Sequence, residues 1–424
     1  MRVLIDYRPA LRERTGAGEY THELVKALLG AHPPGTPGRA LELTLFSSSW
    51  TDRLTATPEL AGAATIDRRI PVRALNFAWH RLEWPAAETL AGGVFDVTHS
   101  SHPLLLPARA AAQLVTIHDL DFLSHPERTR AEIRRDYPAL ARDHARRADA
   151  IIVPSAFTAA EVERRLGVPR DRIAVCPPGA PDWTPRAAAP KDGYVLFFGT
   201  LEPRKNVGGL LDAYERLVTG PAEAGLTGPA EAGPYERGHR DAGMRADARV
   251  PDAYGGRRLS GADVSAVAGA ARVPDLVLAG KATADADGWL ERIEKPPLKG
   301  VVRHIGYVDP ADRRALYAGA RLLVLPSFDE GFGMPVLEAM SLGVPVVAAN
   351  RGSLPEVIGD AGPLVNPERP VEIANAIARV LNDEAYASSC TARGLARART
   401  FRWDRTAHRV YETYRQAIER RALR

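Results

Sequence analysis

LLVLPSFDEGFGMPVLEAMSLGVPVVAAN, Leu322 to Asn350, packs a strand, a polar loop, a helix and a second strand into one short stretch. The apolar run Leu322–Leu325 ends at Pro326-Ser327, and the loop then reaches Glu330. Gly331 and Gly333 let the backbone approach a ligand closely or take positive φ. Pro335 suits the first helical position, where its missing N–H costs nothing. The unpaired N–H groups of that helix start, around Phe332 and Met334, are suited to hold an anion. Glu330 and Glu338, eight residues apart, flank the turn.

The same alternation extends along the chain. Strand runs are expected at VLID, LELTLF, VFDVTHS, LVTIHDL, AIIVPS and IAVCPPG in the first half. YVLFFGT, DLVLAG, VVRHIGYV, LLVLPS and VPVVAAN follow in the second. Helical patterns lie between them, among others at Glu19–Leu29, Glu132–Ala148, Asp312–Ala320, Val336–Leu342 and Val371–Leu381. Near-continuous Val/Ile/Leu runs alternating with helices predict parallel sheets covered on both faces. At 424 residues two cores are expected, joined through PPGAPDWTPRAAAPKDG (Pro177–Gly193). The fold class is therefore α/β, with two doubly wound Rossmann-like domains facing a central cleft. Ligands of such sheets bind beyond the carboxyl ends of the strands.

Composition sets further bounds. Hydrophobic residues make up 45% and charged residues 25%, and the formal net charge of +4 comes with no nucleic-acid motif. Cys176 and Cys390 are too few and too far apart for a disulfide framework or a multi-cysteine metal site. No run of 18 or more apolar residues appears, and the expected compartment is the cytoplasm. Residues 219–233, TGPAEAGLTGPAEAG, duplicate one heptad, and the Gly-, Pro- and charge-rich sequence continues to about 272. Such composition buries too little apolar surface to offset its ordering entropy, so 219–272 reads as a disordered insertion.

Other strand ends carry chemistry. RERTGAGEYTHELVKAL (Arg12–Leu28) places Gly16 and Gly18 before a helix, with a spacing unlike the dinucleotide fingerprint. LVTIHDLDF (Leu114–Phe122) ends a buried strand on His118, whose near-neutral pKa lets it donate or accept. Asp119 and Asp121 form a two-aspartate spacing, as do Asp285 and Asp287, but neither pair argues for a metal and none is expected. YVLFFGTLEPRKNVGGLLDAY (Tyr194–Tyr214) runs from a strand into Gly199 and Thr200, then sets Arg204 and Lys205 before a helix. Cations at a helix start oppose its dipole unless an anion binds there, which suggests a diphosphate clamp. Glu338 on its helix can accept two hydrogen bonds from vicinal hydroxyls, as in a ribose, and Glu330 can address a second polyol. These residues describe a nucleotide-sugar site.

With these motifs in hand, the sequence resembles the retaining glycosyltransferases of family 4, which have the GT-B fold, and within them the mannosyltransferases. The resemblance rests on Glu330-x7-Glu338 within EGFGMPVLEAMSLGVPVVAANRGSLPEV, on FFGTLEPRKN, on TIHDL and on TGAGEY. It covers nearly the whole chain outside 219–272. It implies an acceptor-side domain at 1–185, a donor domain at 186–402 and a helix at 403–424 that crosses back to the first domain. It also implies hexosyl, specifically mannosyl, transfer from a nucleoside-diphosphate sugar, GDP-mannose before a UDP-sugar. The implied acceptor is a hydroxyl of a glycan, a lipid-linked or a small molecule, with no cofactor and no metal. His118, Glu330, Lys205 and Arg204 would act at the reacting centre. Gly16, Gly18, Gly199, Thr200, Gly331, Phe332, Gly333, Met334 and Glu338 would line the donor, with the base near Tyr307 and Val308. Thr200 departs from the pattern, since many members have arginine there, and the clamp is accordingly assigned to Arg204 and Lys205. Trp79, Leu82 and Trp84 are candidates for facing a lipid-linked acceptor, with peripheral membrane contact, or for core packing. A catalytically silent nucleotide-sugar-binding protein, a phosphorylase and a sugar-nucleotide epimerase stand as alternatives.

Overall fold

A computed structural model describes residues 1–11, 14, 16–32, 41–55, 57–125, 136–220 and 273–424. The insertion read at 219–272 lies outside the described residues from 221 onward, as does the start of the helix read at Glu132–Ala148.

Two parallel sheets organise these residues. The first holds β1 (Arg2–Asp6), β2 (Glu42–Ser48), β3 (Ala64–Arg68), β4 (Val97–Ser100), β5 (Ala112–Thr116), β6 (Ala150–Val153) and β7 (Ile173–Val175), in the order β3-β2-β1-β4-β5-β6-β7. The second holds β8 (Tyr194–Phe198), β9 (Leu276–Ala279), β10 (Val302–Gly306), β11 (Ala320–Leu325), β12 (Val346–Ala349) and β13 (Leu364–Val365), in the order β10-β9-β8-β11-β12-β13. Both sheets reverse their winding beside their first strand, at β1/β4 and β8/β11. Those switch points are where an open sheet presents a crevice. The central strands are apolar because helices cover both faces: every residue of β4, β5, β6, β9 and β12 is buried.

The two strands without a counterpart in the sequence reading are edge strands. β3 is exposed or half-buried throughout, so its ATIDR lacks an apolar run, and β13 is only two residues long. Two other details differ. The helix expected after Gly16 and Gly18 begins at Gly16 and contains both. The helix expected to open on Pro335 opens one residue earlier, as Met334–Ser341, with Gly333 as its cap.

The closing helix, Trp403–Ala422, belongs structurally to the first sheet. Ala407, Val410, Tyr414 and Ala417 recur every three or four residues, which aligns them on one face. That face is buried with Val25 and Leu28 of the helix Gly16–Ala31 in the first core. Inside, the Tyr414 hydroxyl meets His99 Nδ1 of β4 at 2.7 Å. Upstream, Ala180 N–H donates to the Phe401 carbonyl, so the chain leaves and re-enters the first half side by side. No described helix is long and apolar enough to cross a membrane.

Candidate active site

The loops after β8 and β11 and the helix Met334–Ser341 meet the loops after β5 and β6 from the other half. The tightest contact is at Gly331, where a Cβ would lie 1.8 Å from the His118 carbonyl oxygen. Ser155 Oγ and Thr158 Oγ1 both donate to the Gly331 carbonyl, at 2.8 and 3.1 Å. A glycine is therefore dictated by the approach of a second backbone. Gly333, two residues on, sits at φ +98°, a conformation L side chains rarely adopt.

Glu330 stands beside that contact. It is buried, its Oε1 forms an ion pair with the buried Lys205 Nζ, and Ser327 Oγ donates to it at 2.9 Å. Burial works to raise the Glu330 pKa, but Lys205, Arg204 and the two hydrogen bonds outweigh it and hold the group below its ordinary value. Its main chain is fixed too: Ser353 N–H and Oγ both donate to the Glu330 carbonyl. Gly199 lies against the Lys205 side chain, and Gly280, from the next strand, comes so close that a Cβ would meet the Gly199 carbonyl at 2.0 Å.

Arg204 is arranged differently from Lys205. Its Nε donates to Glu202 at 2.5 Å and one Nη lies 3.5 Å from Asp119. Burial acts against its charge, yet Glu330, Asp119 and Glu202 raise its pKa. The two cations expected as one clamp thus point to different carboxylates, and Asp119 serves as a partner of Arg204. Among the described residues no three His, Cys, Asp or Glu side chains gather as a metal would require.

His118 presents a neutral ring. Burial lowers its pKa to about 4 despite the opposing effects of Asp119 and a backbone bond at Ser101. Its Nε2 is buried with no hydrogen-bond partner among the described residues, and Tyr20 holds the ring edge-on at 5.1 Å. A buried polar atom without a partner is costly, and one in this position is open to a ligand's hydroxyl.

Glu338 occupies a separate, buried environment. The Tyr317 hydroxyl donates to its Oε2 at 2.6 Å, and Arg313 Nη1 lies 3.8 Å from its Oε1. Burial pushes the Glu338 pKa up to about 7, against the pull of Arg313 and Tyr317. Arg313 also faces Glu19 of the first half at 3.5 Å and donates to the Arg14 carbonyl. The E-x7-E pair is thus split between two environments, one held ionised by a lysine and one balanced near neutrality.

The other anticipated residues are disposed as follows. Phe332 turns its ring inward, edge-to-face with Phe401 at 5.6 Å, and Met334 packs partly against the second core. Gly18 packs on the Pro9 carbonyl, where a Cβ would clash at 2.5 Å, while Gly16 has open space. Thr200 follows Gly199 and is half-buried. Tyr307 lines a second cavity of about 520 Å3 with Lys281, Asp309 and Arg14, and Val308 packs on the core. Of the candidate lipid-facing residues, Trp79 is fully buried against Phe46, whereas Leu82 and Trp84 are exposed. The sequence reading did not single out Ser327, Ser353, Tyr317, Arg313 or Glu19. Ser327, Ser353 and Glu19 stood within quoted motifs; Tyr317 and Arg313 are brought in by tertiary packing.

Two parallel sheets, each with its switch point turned to one cleft, and a carboxylate–lysine pair at a helix start define the class of two-domain, GT-B glycosyltransferases. Family models agree. Residues 14–182 match Glycosyltransferase Family 4 and residues 262–383 match Glycosyl transferases group 1. The O-antigen chain mannosyltransferase B of Escherichia coli is 30% identical across 98% of this chain and 100% of its own length. The chain belongs to glycosyltransferase family 4. Among solved structures, sucrose-phosphate synthase of Thermosynechococcus elongatus superposes with a TM-score of 0.69 at 20% identity, over 98% of both chains. The HepE protein of Anabaena, in complex with UDP-glucose, gives a TM-score of 0.61 at 16% identity, over 97% of this chain and 99% of that one. Both show the shared fold.

Proposed function

We propose that this glycosyltransferase moves a mannosyl group from GDP-mannose to a hydroxyl acceptor with retention of anomeric configuration. In this reading residues 186–402 hold the donor, 1–185 hold the acceptor, and 403–424 tie the two together. The observation that carries it is the buried Lys205–Glu330 pair, set before the helix Met334–Ser341 and next to Gly331, against which the His118 carbonyl of the other half closes. The end-to-end similarity to an O-antigen mannosyltransferase favours mannose as the sugar.

The roles follow from the chemistry of each group. Lys205, with Arg204 beside it, offsets the charge that develops on the departing diphosphate, and the free N–H groups of the helix start add to that. Stabilising developing charge in a preorganised, poorly hydrated site is the largest catalytic effect available to such an enzyme. Glu330 accepts hydroxyl hydrogen bonds of the donor sugar and fixes Lys205, while Glu338 holds the ribose. His118, neutral and with Nε2 open, bonds a sugar hydroxyl near the reacting carbon. Leaving-group departure and acceptor attack then occur on one face of an oxocarbenium-like sugar. The departing phosphate oxygen takes the acceptor's proton.

A donor panel containing GDP-mannose, UDP-glucose and UDP-galactose tests this, with released nucleotide and product anomer both measured. GDP-mannose should be turned over fastest and give the retained anomer, and Glu330→Ala and Lys205→Ala should each lose at least a hundredfold in kcat. Parent-like turnover by both variants would rule out the site. Preference for a UDP-sugar, the ligand class of the HepE complex, would move the donor assignment while leaving the class of reaction intact.

A further inference from the structure

The first half contains a cavity of about 910 Å3 beyond the carboxyl ends of β1, β2 and β4. That is near the top of the roughly 300–1,000 Å3 usual for ligand sites. Its rim carries two aromatic side chains that a folded chain normally hides: Trp50 is 70% and Phe77 61% exposed. Its wall carries His80, only 8% exposed, whose Nε2 is buried without a hydrogen-bond partner among the described residues. Asn76 lines the cavity beside it.

We infer that this cavity is the acceptor site and that its ligand is the neutral end of a saccharide, seated on Trp50 and Phe77 with hydroxyls bonded to His80 and Asn76. The inference rests on the transferase reading above and adds the acceptor's class to it. Exposed aromatic faces suit the apolar C–H faces of sugar rings, and unpaired polar groups deeper in suit their hydroxyls. A neutral imidazole offers a donor or an acceptor according to tautomer, and a hydroxyl can answer either.

The charges decide against a phosphate-bearing headgroup as the ligand of this cavity. Arg8 is the one arginine deep in the wall, and Asp6 already binds it through two hydrogen bonds of 2.8 and 2.7 Å. A third Arg8 nitrogen donates to Asn76 Oδ1 at 2.9 Å, and the guanidinium lies 4.9 Å over the Trp79 ring. Arg81 is paired with Asp136, and Arg73 lies exposed. With Asp6 fully buried and Asp52 also on the wall, an anion in this cavity would face two carboxylates.

The cavity is also well placed. His102, on its wall, adjoins Ser101, whose backbone bonds His118. Leu11 and Asp52 line both this cavity and the smaller one that reaches Lys281 and Tyr307 of the second half. A sugar end lodged here would project its terminal hydroxyl towards the cleft between the halves.

The experiment uses the full chain with its preferred donor and three probes: mannotriose, cellotriose and glycerol 3-phosphate. Transfer kinetics are measured for the parent, Trp50→Ala, Phe77→Ala, His80→Gln and His80→Ala, with nucleotide affinity followed separately by calorimetry. At least one trisaccharide should accept. Each aromatic variant, altered only at an exposed side chain, should raise its KM about five- to tenfold with kcat held within about threefold. His80→Gln, which keeps a polar atom in place of Nε2, should raise KM less than His80→Ala. Unchanged KM in both aromatic variants, or transfer to glycerol 3-phosphate and to neither saccharide, overturns the inference. So does the absence of both saccharide turnover and saccharide contacts by saturation-transfer NMR. Nucleotide binding separates the two levels: its loss in the parent would sink the transferase reading, whereas its retention alongside any of those outcomes sinks the saccharide site alone.

Discussion

Lys205 and Glu330 are coupled so strongly that neither can be read alone. Removing the lysine leaves a buried carboxylate without its counter-charge, a change that typically costs about 3–5 kcal/mol. Lys205→Ala should therefore lower urea stability by an amount of that order as well as lowering activity. Lys205→Ala/Glu330→Gln should recover most of the stability and none of the activity. If the double variant is no more stable than the single one, the pair is not what makes the lysine structurally necessary. Glu338 makes a prediction in pH. Its pKa is raised from 4.5 to about 7, so the folded protein binds its proton more tightly than the unfolded chain. The stability from this group is full below about pH 4.5 and is lost as pH rises through about 7. Glu338→Gln should flatten that part of the stability–pH profile, and an unchanged slope would contradict the assignment. If ionised Glu338 is what accepts the ribose hydroxyls, parent nucleotide affinity should also weaken as pH falls below 7. The sequence disclosed these three side chains because each belongs to a strand–loop–helix run with a recognisable pattern. It could not disclose Tyr317 or Arg313, since a tyrosine 21 residues before Glu338 carries no mark of the hydroxyl it donates.

Loops and helices were legible in proportion to how much local chemistry fixed them. The run Leu322–Asn350 declared its strand, turn, helix and strand through apolar residues, two glycines and a proline. Even so, the reason for Gly331 was hidden. It is glycine because the His118 carbonyl from the other half occupies the space a Cβ would need. Gly331→Ala should consequently push the two halves apart. Far-UV circular dichroism should be preserved, activity should fall by at least a hundredfold, and small-angle scattering should show a larger radius of gyration. Unaltered scattering with full activity would show that the contact yields at little cost. A related junction is the helix Ala156–Leu166, whose first N–H groups at Ala156 and Phe157 donate to the Glu356 carboxylate of the second half at 3.0–3.2 Å. An acid at a helix start is favourable by charge, and here it also joins the two halves.

The whole molecule was readable as two doubly wound halves because both sheets are parallel and apolar at the centre. Edge strands β3 and β13 escaped notice because an edge needs little apolar sequence. The closing helix shows the same limit from the other side: its pattern announced a helix, but only packing shows that its Ala407, Val410, Tyr414 and Ala417 complete the first core. Removing residues 403–424 should therefore destabilise the first half selectively, seen as early loss of protection from hydrogen exchange in β4 and β5 while β11 and β12 stay protected. The account as a whole turns on one claim, that the cleft between these halves binds a nucleoside diphosphate through Lys205. Calorimetric titration of the parent and Lys205→Ala with GDP and UDP addresses it most directly. The parent should bind GDP more tightly than UDP, and Lys205→Ala should weaken GDP binding by tenfold or more, about 1.4 kcal/mol. Binding of neither nucleotide, or equal affinity in parent and variant, would contradict it.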